Sequence, residues 1–195
     1  MSEFQQNRDE TARYRLRKTV VMVGMMGAGK TAIGRAMAAR LGVPFLDSDA
    51  EIEAAANMTV PEIFARDGEP FFREKEAQVI ARLLDEERCI LSTGGGAFLV
   101  ARNREAISER GVSLWLNADL DLLWQRVRHK DTRPLLRTPD PRATLAEIYA
   151  ARAPVYALAD VSVQSLPELS IDAMVDRVIE TLAQARPDVL EVNDA

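Results

Sequence analysis

The fold is decided by one stretch of the sequence, VVMVGMMGAGKT, which occupies residues 20–31. Val20–Val23 is a short, apolar and mostly β-branched run bounded by Gly24, which predicts a strand buried on both faces. Residues 31–41 repeat apolar side chains at helical spacing and are followed by Gly42, which predicts a helix that ends there. The stretch therefore predicts a strand, a glycine-rich turn and a helix.

The glycine-rich turn satisfies the pattern G-x-x-x-x-G-K-[ST] from Gly24 to Thr31. Glycines allow backbone N–H groups to turn inward around a phosphate, and the N-terminus of the next helix adds positive potential. In this pattern Lys30 reaches the β- and γ-phosphates of a nucleotide, and Thr31 offers its hydroxyl to Mg²⁺. The alternative is a glycine turn with a solvated lysine. The position between a strand and a helix favours nucleotide binding.

The rest of the chain alternates predicted strands and helices. Further strands are predicted over residues 43–46, 89–93, 112–116 and 161–163, and further helices over residues 48–56, 59–67, 69–85, 119–128, 144–153 and 171–185. Strands separated by helices imply an α/β fold with a parallel sheet covered on both faces. Ligands of such sheets bind at the carboxyl ends of the strands, so we expect the chemistry to follow each strand.

Length and charge limit the classes of protein that fit. With 195 residues, of which 47% are hydrophobic, the chain can form one compact domain without a metal or a disulfide. Lys and Arg number 25 against 30 Asp and Glu, a net charge of −5, which argues against binding of a nucleic-acid backbone by bulk charge. No apolar run approaches the ~18 residues of a membrane helix. We therefore expect neither nucleic acid nor membrane as a partner.

The two ends and the single cysteine complete this outline. Residues 1–17 are polar and aperiodic and residues 187–195 are acidic, so we expect a flexible tail, one domain over residues 18–186 and a frayed end. Cys89 cannot form an internal disulfide and stands in an apolar run, which indicates a buried core residue and a reducing cytoplasm. No long exposed apolar stripe calls for a partner, so we expect a monomer.

Two carboxylates follow the second predicted strand, Asp47 and Asp49. They therefore fall at the same edge of the sheet as the glycine-rich turn. Carboxylate oxygens suit Mg²⁺ and its waters, and a carboxylate that faces an acceptor hydroxyl can take its hydrogen bond and later its proton. The alternative is that the two acids favour the N-terminus of the following helix through its dipole.

Arginine supplies two further candidates, Arg73 and Arg152. Arg73 lies one turn into the predicted helix and can clamp a carboxylate in bidentate fashion, with Glu76 holding its guanidinium. The alternative is a set of ion pairs within the helix, since Glu69 and Glu76 lie at i−4 and i+3. Arg152 by itself is also compatible with a surface position on a helix.

The third predicted strand ends in Ser92 and the triplet Gly94–Gly96. Consecutive glycines at this edge cost conformational entropy, so close approach of a ligand to the backbone explains them best. Ser92 either holds a metal-bound water or bonds to the backbone.

Residues 126–137, RVRHKDTRPLLR, form a cationic segment in an acidic protein. The segment predicts a lid that closes over a triphosphate, and the alternative is a solvated face.

Taken together, these residues resemble the shikimate kinase family, and the likeness runs from Val20 to about Ala185. The motifs that carry it are, in chain order, the phosphate loop Gly24–Lys30, the acids Asp47 and Asp49, the set Phe72, Arg73 and Glu76, the triplet Gly94–Gly96, the segment Arg133-Pro134-Leu135, and the set Arg152, Pro154 and Tyr156. The phosphate loop alone is shared by many unrelated ATPases and GTPases. The order of all six motifs makes the resemblance specific.

The resemblance implies a P-loop, three-layer α/β/α kinase domain with a five-stranded parallel sheet, similar to the nucleoside-monophosphate kinases. It also implies transfer of the γ-phosphoryl group of ATP to the 3-hydroxyl of shikimate, in the route to chorismate and the aromatic amino acids. The family's cofactor set is ATP with Mg²⁺. This agrees with the independent indication of a phosphate site next to an anionic acceptor.

The resemblance also assigns roles to residues. It implies catalytic roles for Asp49, Lys30 and Arg133; an ATP site of Gly27, Ala28, Gly29, Lys30, Thr31, Ala32, Arg126 and Arg133; a shikimate site of Asp49, Arg73, Gly95, Gly96 and Arg152; and a Mg²⁺ site of Thr31, Asp47 and Ser92, in part through water. Asp49 would hold the reacting hydroxyl. Arg73 and Arg152 would grip the carboxylate, and Arg126 would stack near adenine.

Two departures from the family pattern and two rival functions remain. The tail of residues 1–17 is longer than is usual in the family. Ala32 stands where the family commonly has a second hydroxyl residue, so one phosphate hydrogen bond is expected to be lost. The first rival is another small-molecule kinase of the gluconate type, which shares the phosphate loop and the lid. The second is a regulatory protein that binds ATP without transferring phosphate.

Overall fold

The computed structural model describes residues 13–130 and 134–192. Its strands are β1 (Tyr14–Leu16), β2 (Val20–Val23), β3 (Phe45–Asp47), β4 (Ile90–Ser92), β5 (Val112–Asn117), β6 (Val161–Gln164) and β7 (Leu190–Val192). Its α-helices are α1 (Lys30–Leu41), α2 (Ser48–Ala56), α3 (Val60–Asp67), α4 (Glu69–Glu86), α5 (Ala101–Arg110), α6 (Leu120–Val127), α7 (Pro141–Tyr156) and α8 (Ile171–Ala185). Short 3₁₀ turns occupy Ala97–Leu99 and Pro134–Leu136.

The main sheet has five strands in the order β3-β4-β2-β5-β6, and every pair is parallel. The predicted five-stranded parallel α/β fold is confirmed. The chain builds the sheet on one side of β2 and then crosses to the other side at β5. This reversal makes the carboxyl end of β2 the expected place for a ligand.

The core is centred on β2, whose four residues are at most 1% exposed. Such complete burial explains why the strand is an uninterrupted apolar run rather than an alternating one. Cys89, just before β4, is fully buried, and burial raises the pKa of its thiol to about 11. The thiol therefore stays protonated and behaves as a small core residue, as the sequence predicts.

The structure adds one helix to those predicted and lengthens another. Helix α5 was not predicted, because only Asn103 and Ile107 of its ten residues are buried and the apolar stripe is too narrow to show helical periodicity. Helix α2 has the predicted bounds, and its cap is Asp47, whose side chain accepts the Ala50 N–H at 3.0 Å. Helix α7 continues through Pro154. A proline so close to the end removes only one backbone hydrogen bond, so the last turn survives.

The prediction of two loose chain ends is wrong where the structure describes them. Strands β1 and β7 pair antiparallel, with Leu16 opposite Leu190, and both leucines are buried. Ion pairs join Arg17 to Glu191 and Lys18 to Asp188 beside this ribbon. Three-residue strands carry no periodicity that a sequence pattern can detect, and their pairing depends on contact between distant ends. The rest of the predicted tail, residues 1–12, lies outside the described residues.

Within residues 13–130 and 134–192, no helix is both long and apolar enough to cross a bilayer.

Candidate active site

A cavity of about 750 Å³ lies at the carboxyl edge of the parallel sheet. Its lining includes every predicted site residue that the structure describes: Gly27, Ala28, Gly29, Lys30, Thr31, Ala32, Asp47, Asp49, Arg73, Ser92, Gly95, Gly96, Arg126 and Arg152. Arg133 lies outside the described residues, so its role and the closure of the predicted lid stay predictions. Residues drawn from six separate parts of the sequence thus face one space.

The phosphate loop connects β2 to α1 and forms one end of the cavity. Gly29 caps α1 in the left-handed region, with a φ of 97°, where a side chain would be strained. The Lys30 ammonium reaches back across the loop and donates to the carbonyl oxygens of Gly24 at 2.8 Å and Met25 at 3.0 Å. The loop therefore presents a helix N-terminus and a lysine charge to the same space.

Helix α6 contacts this loop through Arg126 and Val127. The Arg126 guanidinium donates to the carbonyl oxygens of Gly27 at 3.1 Å and Ala28 at 3.2 Å. A Cβ atom at Gly27 would lie 2.7 Å from a methyl carbon of Val127, so α6 and the loop are in direct contact. Burial lowers the pKa of Arg126. The position of Arg126 on the loop was not visible in the sequence, and its predicted contact with adenine stays a prediction.

Asp49 lies in the middle of the cavity, against the backbone of Gly94. A Cβ atom at Gly94 would be 2.9 Å from Asp49 Oδ2, so the carboxylate fills the space that any side chain there would need. Asp49 Oδ1 is buried and has no hydrogen-bond partner among the described residues. Burial is the main reason that the pKa of Asp49 is raised to about 6, and the negative charges of Asp47 and Glu76 contribute to the same rise. This carboxylate is poised to accept a proton near neutral pH.

Asp47 and Ser92 are cross-strand partners at the ends of β3 and β4. Asp47 Oδ1 caps helix α2, so the structural alternative for this acid is realised. Its side chain also lines the cavity, together with the side chains of Ser92 and Thr31. Oxygen ligands of these three kinds suit Mg²⁺, which usually keeps several waters and few protein ligands.

Arg73 agrees with both interpretations of the sequence, since it forms ion pairs within its helix and also lines the cavity. Its Nη1 donates to Glu76 at 2.8 Å, and its Nε lies 3.4 Å from Glu69, so the ion pairs within the helix exist. The guanidinium also lines the cavity and lies so close to Gly96 that a Cβ atom there would overlap it. Glu76 is only 1% exposed and burial raises its pKa, so the buried pair fixes the direction of Arg73.

Arg152 lies against the same glycine triplet, one residue earlier than Arg73. A Cβ atom at Gly95 would lie 2.9 Å from Arg152 Nη1. One helical turn later, the Tyr156 hydroxyl donates to the Gly95 carbonyl at 2.6 Å. The two arginines therefore flank Gly95 and Gly96, although they lie on α4 and α7. The sequence analysis gave Tyr156 no role of its own, although it belongs to the motif with Arg152 and Pro154 and lies at i+4 from Arg152.

Two further groups of residues complete the lining of the cavity. Phe64 and Phe72, whose ring centroids are 4.8 Å apart, wall the acceptor end together with Val60. Phe71 is 40% exposed and is not part of this wall. The second group lies around the start of α8 and consists of Ser165, Leu169, Ser170, Ile171 and Met174. Sequence reasoning missed this group, because it reads as the ordinary beginning of an amphipathic helix.

Comparison with known proteins agrees with the motif pattern. The family model for shikimate kinase matches residues 26–183. The chain is 70% identical to the shikimate kinase of Ruegeria pomeroyi, over 91% of each protein. It is 67% identical to the shikimate kinase of Cereibacter sphaeroides, over 92% of this chain and 89% of that protein.

Solved structures extend the likeness to three dimensions. The shikimate kinase from Acinetobacter baumannii in complex with shikimate is 34% identical and superposes with a TM-score of 0.78, over 86% of this chain and 93% of that one. A gluconokinase from Sinorhizobium meliloti, 19% identical with a TM-score of 0.59, shares the fold only. The six motifs, the family model and these relatives agree, and the chain belongs to the shikimate kinase family.

Proposed function

We propose that this protein transfers the γ-phosphoryl group of ATP to the 3-hydroxyl of shikimate, giving shikimate 3-phosphate and ADP. The observation that carries the proposal is a single cavity that joins the phosphate loop to Arg73, Arg152 and Asp49. The first element suits a nucleotide, and the other three suit a small acid with a reactive hydroxyl. Membership of the shikimate kinase family selects shikimate among such acids.

The donor end provides positive charge for the triphosphate. Backbone N–H groups of the loop and the N-terminus of α1 can hold phosphate oxygens, and the Lys30 ammonium lies within the same loop. Arg126 adds a second cation at the loop's outer side. Phosphoryl transfer depends mainly on such positioning and charge stabilisation, because the transferred group needs little covalent help.

The donor set at the centre fits Mg²⁺. Thr31, Asp47 and Ser92 supply two hydroxyls and a carboxylate to the same part of the cavity, and they would hold the ion together with waters and phosphate oxygens. Bound there, Mg²⁺ would neutralise charge on the phosphates. Within the described residues there is no cluster of three or more acidic, histidine or cysteine side chains that could bind a metal by itself.

The acceptor end provides an anion clamp and a proton acceptor. Arg73 and Arg152 flank the glycine triplet, so a carboxylate placed there receives hydrogen bonds from both guanidinium groups and the backbone. Asp49 has an unpartnered buried oxygen in the same cavity. A substrate hydroxyl would satisfy this oxygen and transfer its proton to it as the phosphoryl group arrives.

The test is ADP formation measured with shikimate, quinate and gluconate side by side. We expect ADP release that depends on shikimate and is much slower with the other two acids. Faster turnover with gluconate would assign the protein to the rival kinase class. ADP formation that is indifferent to the acceptor, or absent, would overturn the proposal and favour an ATP-binding regulatory protein. Light scattering of the same sample tests the predicted monomer.

A further inference from the structure

Tyr156 lies next to two groups of the cavity that come from distant parts of the chain, the Gly95 peptide and the Arg152 guanidinium. Gly95 follows β4, and Arg152 lies on α7. We propose that Tyr156 is a positioning residue for the acceptor acid, which acts by fixing Arg152 and the Gly95 peptide relative to each other. The inference rests on the proposed function and adds a residue to which no role in the reaction was assigned.

The geometry joins the three groups at one point. The Tyr156 hydroxyl donates to the Gly95 carbonyl at 2.6 Å, a short hydrogen bond between α7 and the loop after β4. A Cβ atom built on Gly95 would lie 2.9 Å from Arg152 Nη1 and 3.6 Å from the Tyr156 oxygen. The phenol, the guanidinium and the glycine backbone therefore share one small volume.

The chemistry of the phenol suits this place. A tyrosine hydroxyl has one proton and two lone pairs, and its proton is committed to Gly95. A lone pair remains for the guanidinium of Arg152. Burial raises the pKa of Tyr156, although the charge of Arg152 and hydrogen bonding to it act in the opposite direction. The hydroxyl thus stays protonated and continues to donate to Gly95 at neutral pH.

Rigid packing gives the hydroxyl a fixed position from which to act. Tyr156 is 1% exposed, and its ring lies 6.2 Å from that of Trp115, centroid to centroid. Arg152 is on the same helix, one turn earlier, so it projects from the same face as Tyr156. The buried ring anchors this turn of α7, and the hydroxyl ties the turn to Gly95. Without the hydroxyl, the Gly95 carbonyl loses its donor and Arg152 loses a neighbour that limits its rotamers.

The test is the variant Tyr156→Phe, which removes the hydroxyl and keeps the buried ring. We expect the KM for shikimate to rise about 3- to 10-fold, the effect of one lost neutral hydrogen bond. The KM for ATP and kcat should change by less than about twofold, because the phosphate loop is untouched. Tyr149→Phe is the matched control, because Tyr149 is a partly buried tyrosine of the same helix that does not line the cavity.

A double-mutant cycle separates positioning from a general packing effect. If Tyr156 acts through Arg152, the KM effect of Tyr156→Phe should shrink to less than about twofold in an Arg152→Ala background. A purely structural loss would instead raise both KM values, or persist unchanged in that background, and either result would overturn the inference. The kinetics are measured at low temperature, and circular dichroism confirms that each variant is folded. A variant of lowered stability can then still be compared with the wild type.

The outcomes for the two proposals differ. A wild-type protein that forms no ADP in response to shikimate refutes the proposed function. An active wild type whose KM for shikimate is unchanged by Tyr156→Phe leaves that function standing and refutes the positioning role alone.

Discussion

Replacement of Asp49 by asparagine is expected to make the protein more stable and almost inactive. The pKa of Asp49 is raised from 3.8 to about 6, mainly because burial penalises the charged form. A difference of this size corresponds to at most about 3 kcal/mol of unfavourable free energy at neutral pH, where the carboxylate is ionised. Asparagine has nearly the same shape without the charge. We therefore expect Asp49→Asn to stabilise the fold by about 1–3 kcal/mol at pH 7.

The sign of the pH dependence follows from the direction of the shift. A carboxyl whose pKa is raised on folding contributes stability that is fully present below pH 3.8 and is lost as the pH rises through about 6. The advantage of Asp49→Asn should therefore be largest at pH 7 and should shrink at pH 5. Thermal melts should show a rise in Tm of about 3–9 °C at pH 7. Glu109→Gln, which removes an exposed carboxylate outside the cavity lining, is the control.

The same variant should lose turnover by ~10²-fold or more while ATP binding is retained, because it cannot take a proton from the acceptor hydroxyl. The wild-type rate should fall below pH 6 as Asp49 is protonated. Two results would refute this reasoning. If Asp49→Asn melts below the wild type at pH 7, the carboxylate is not a strained, desolvated charge. If turnover is unchanged, Asp49 is only a residue of the first turn of α2.

Three further variants test other parts of the site and fold. Arg73→Ala should raise the KM for shikimate about 10-fold or more and leave the KM for ATP nearly unchanged, because one charge-assisted pair is lost. An equal rise in both KM values in steady-state kinetics would contradict the carboxylate clamp. Gly94→Ala should lower turnover with ATP affinity retained, since its methyl group would meet Asp49 Oδ2 at 2.9 Å; an unchanged rate would refute the close packing. Leu190→Ala should lower the free energy of unfolding, measured with urea, by about 2–4 kcal/mol, because the Leu190 side chain is fully buried. An unchanged free energy of unfolding would contradict the packing of this chain end.

Local pattern was sufficient to predict the fold class and most of the site's members. The strand, glycine-rich turn and helix of residues 20–31 are encoded by neighbouring residues, and so is the burial of Cys89. The ends of parallel strands meet at one edge of a sheet, so Asp49 and the glycine triplet could be placed together before their contact was known. These features depend on spacing along the chain, which a sequence displays directly.

Chain-end pairing was decided only by the tertiary structure. Leu16 and Leu190 are buried because the two ends of the chain meet, and no pattern within either end indicates that contact. Helix α5 escaped prediction because few of its residues reach the core. Burial of a short segment depends on what the rest of the chain places next to it.

The sequence by itself was sufficient to predict residues that line the cavity, because phosphate loops, strand-end acids and glycine triplets have short-range signatures. Only the tertiary structure decided how those residues act on one another. It desolvates Asp49 and raises its pKa, directs Arg73 through buried Glu76, and sets Tyr156 between Arg152 and Gly95. These effects depend on distances and burial between residues far apart in the chain, which are fixed when the helices pack on the sheet.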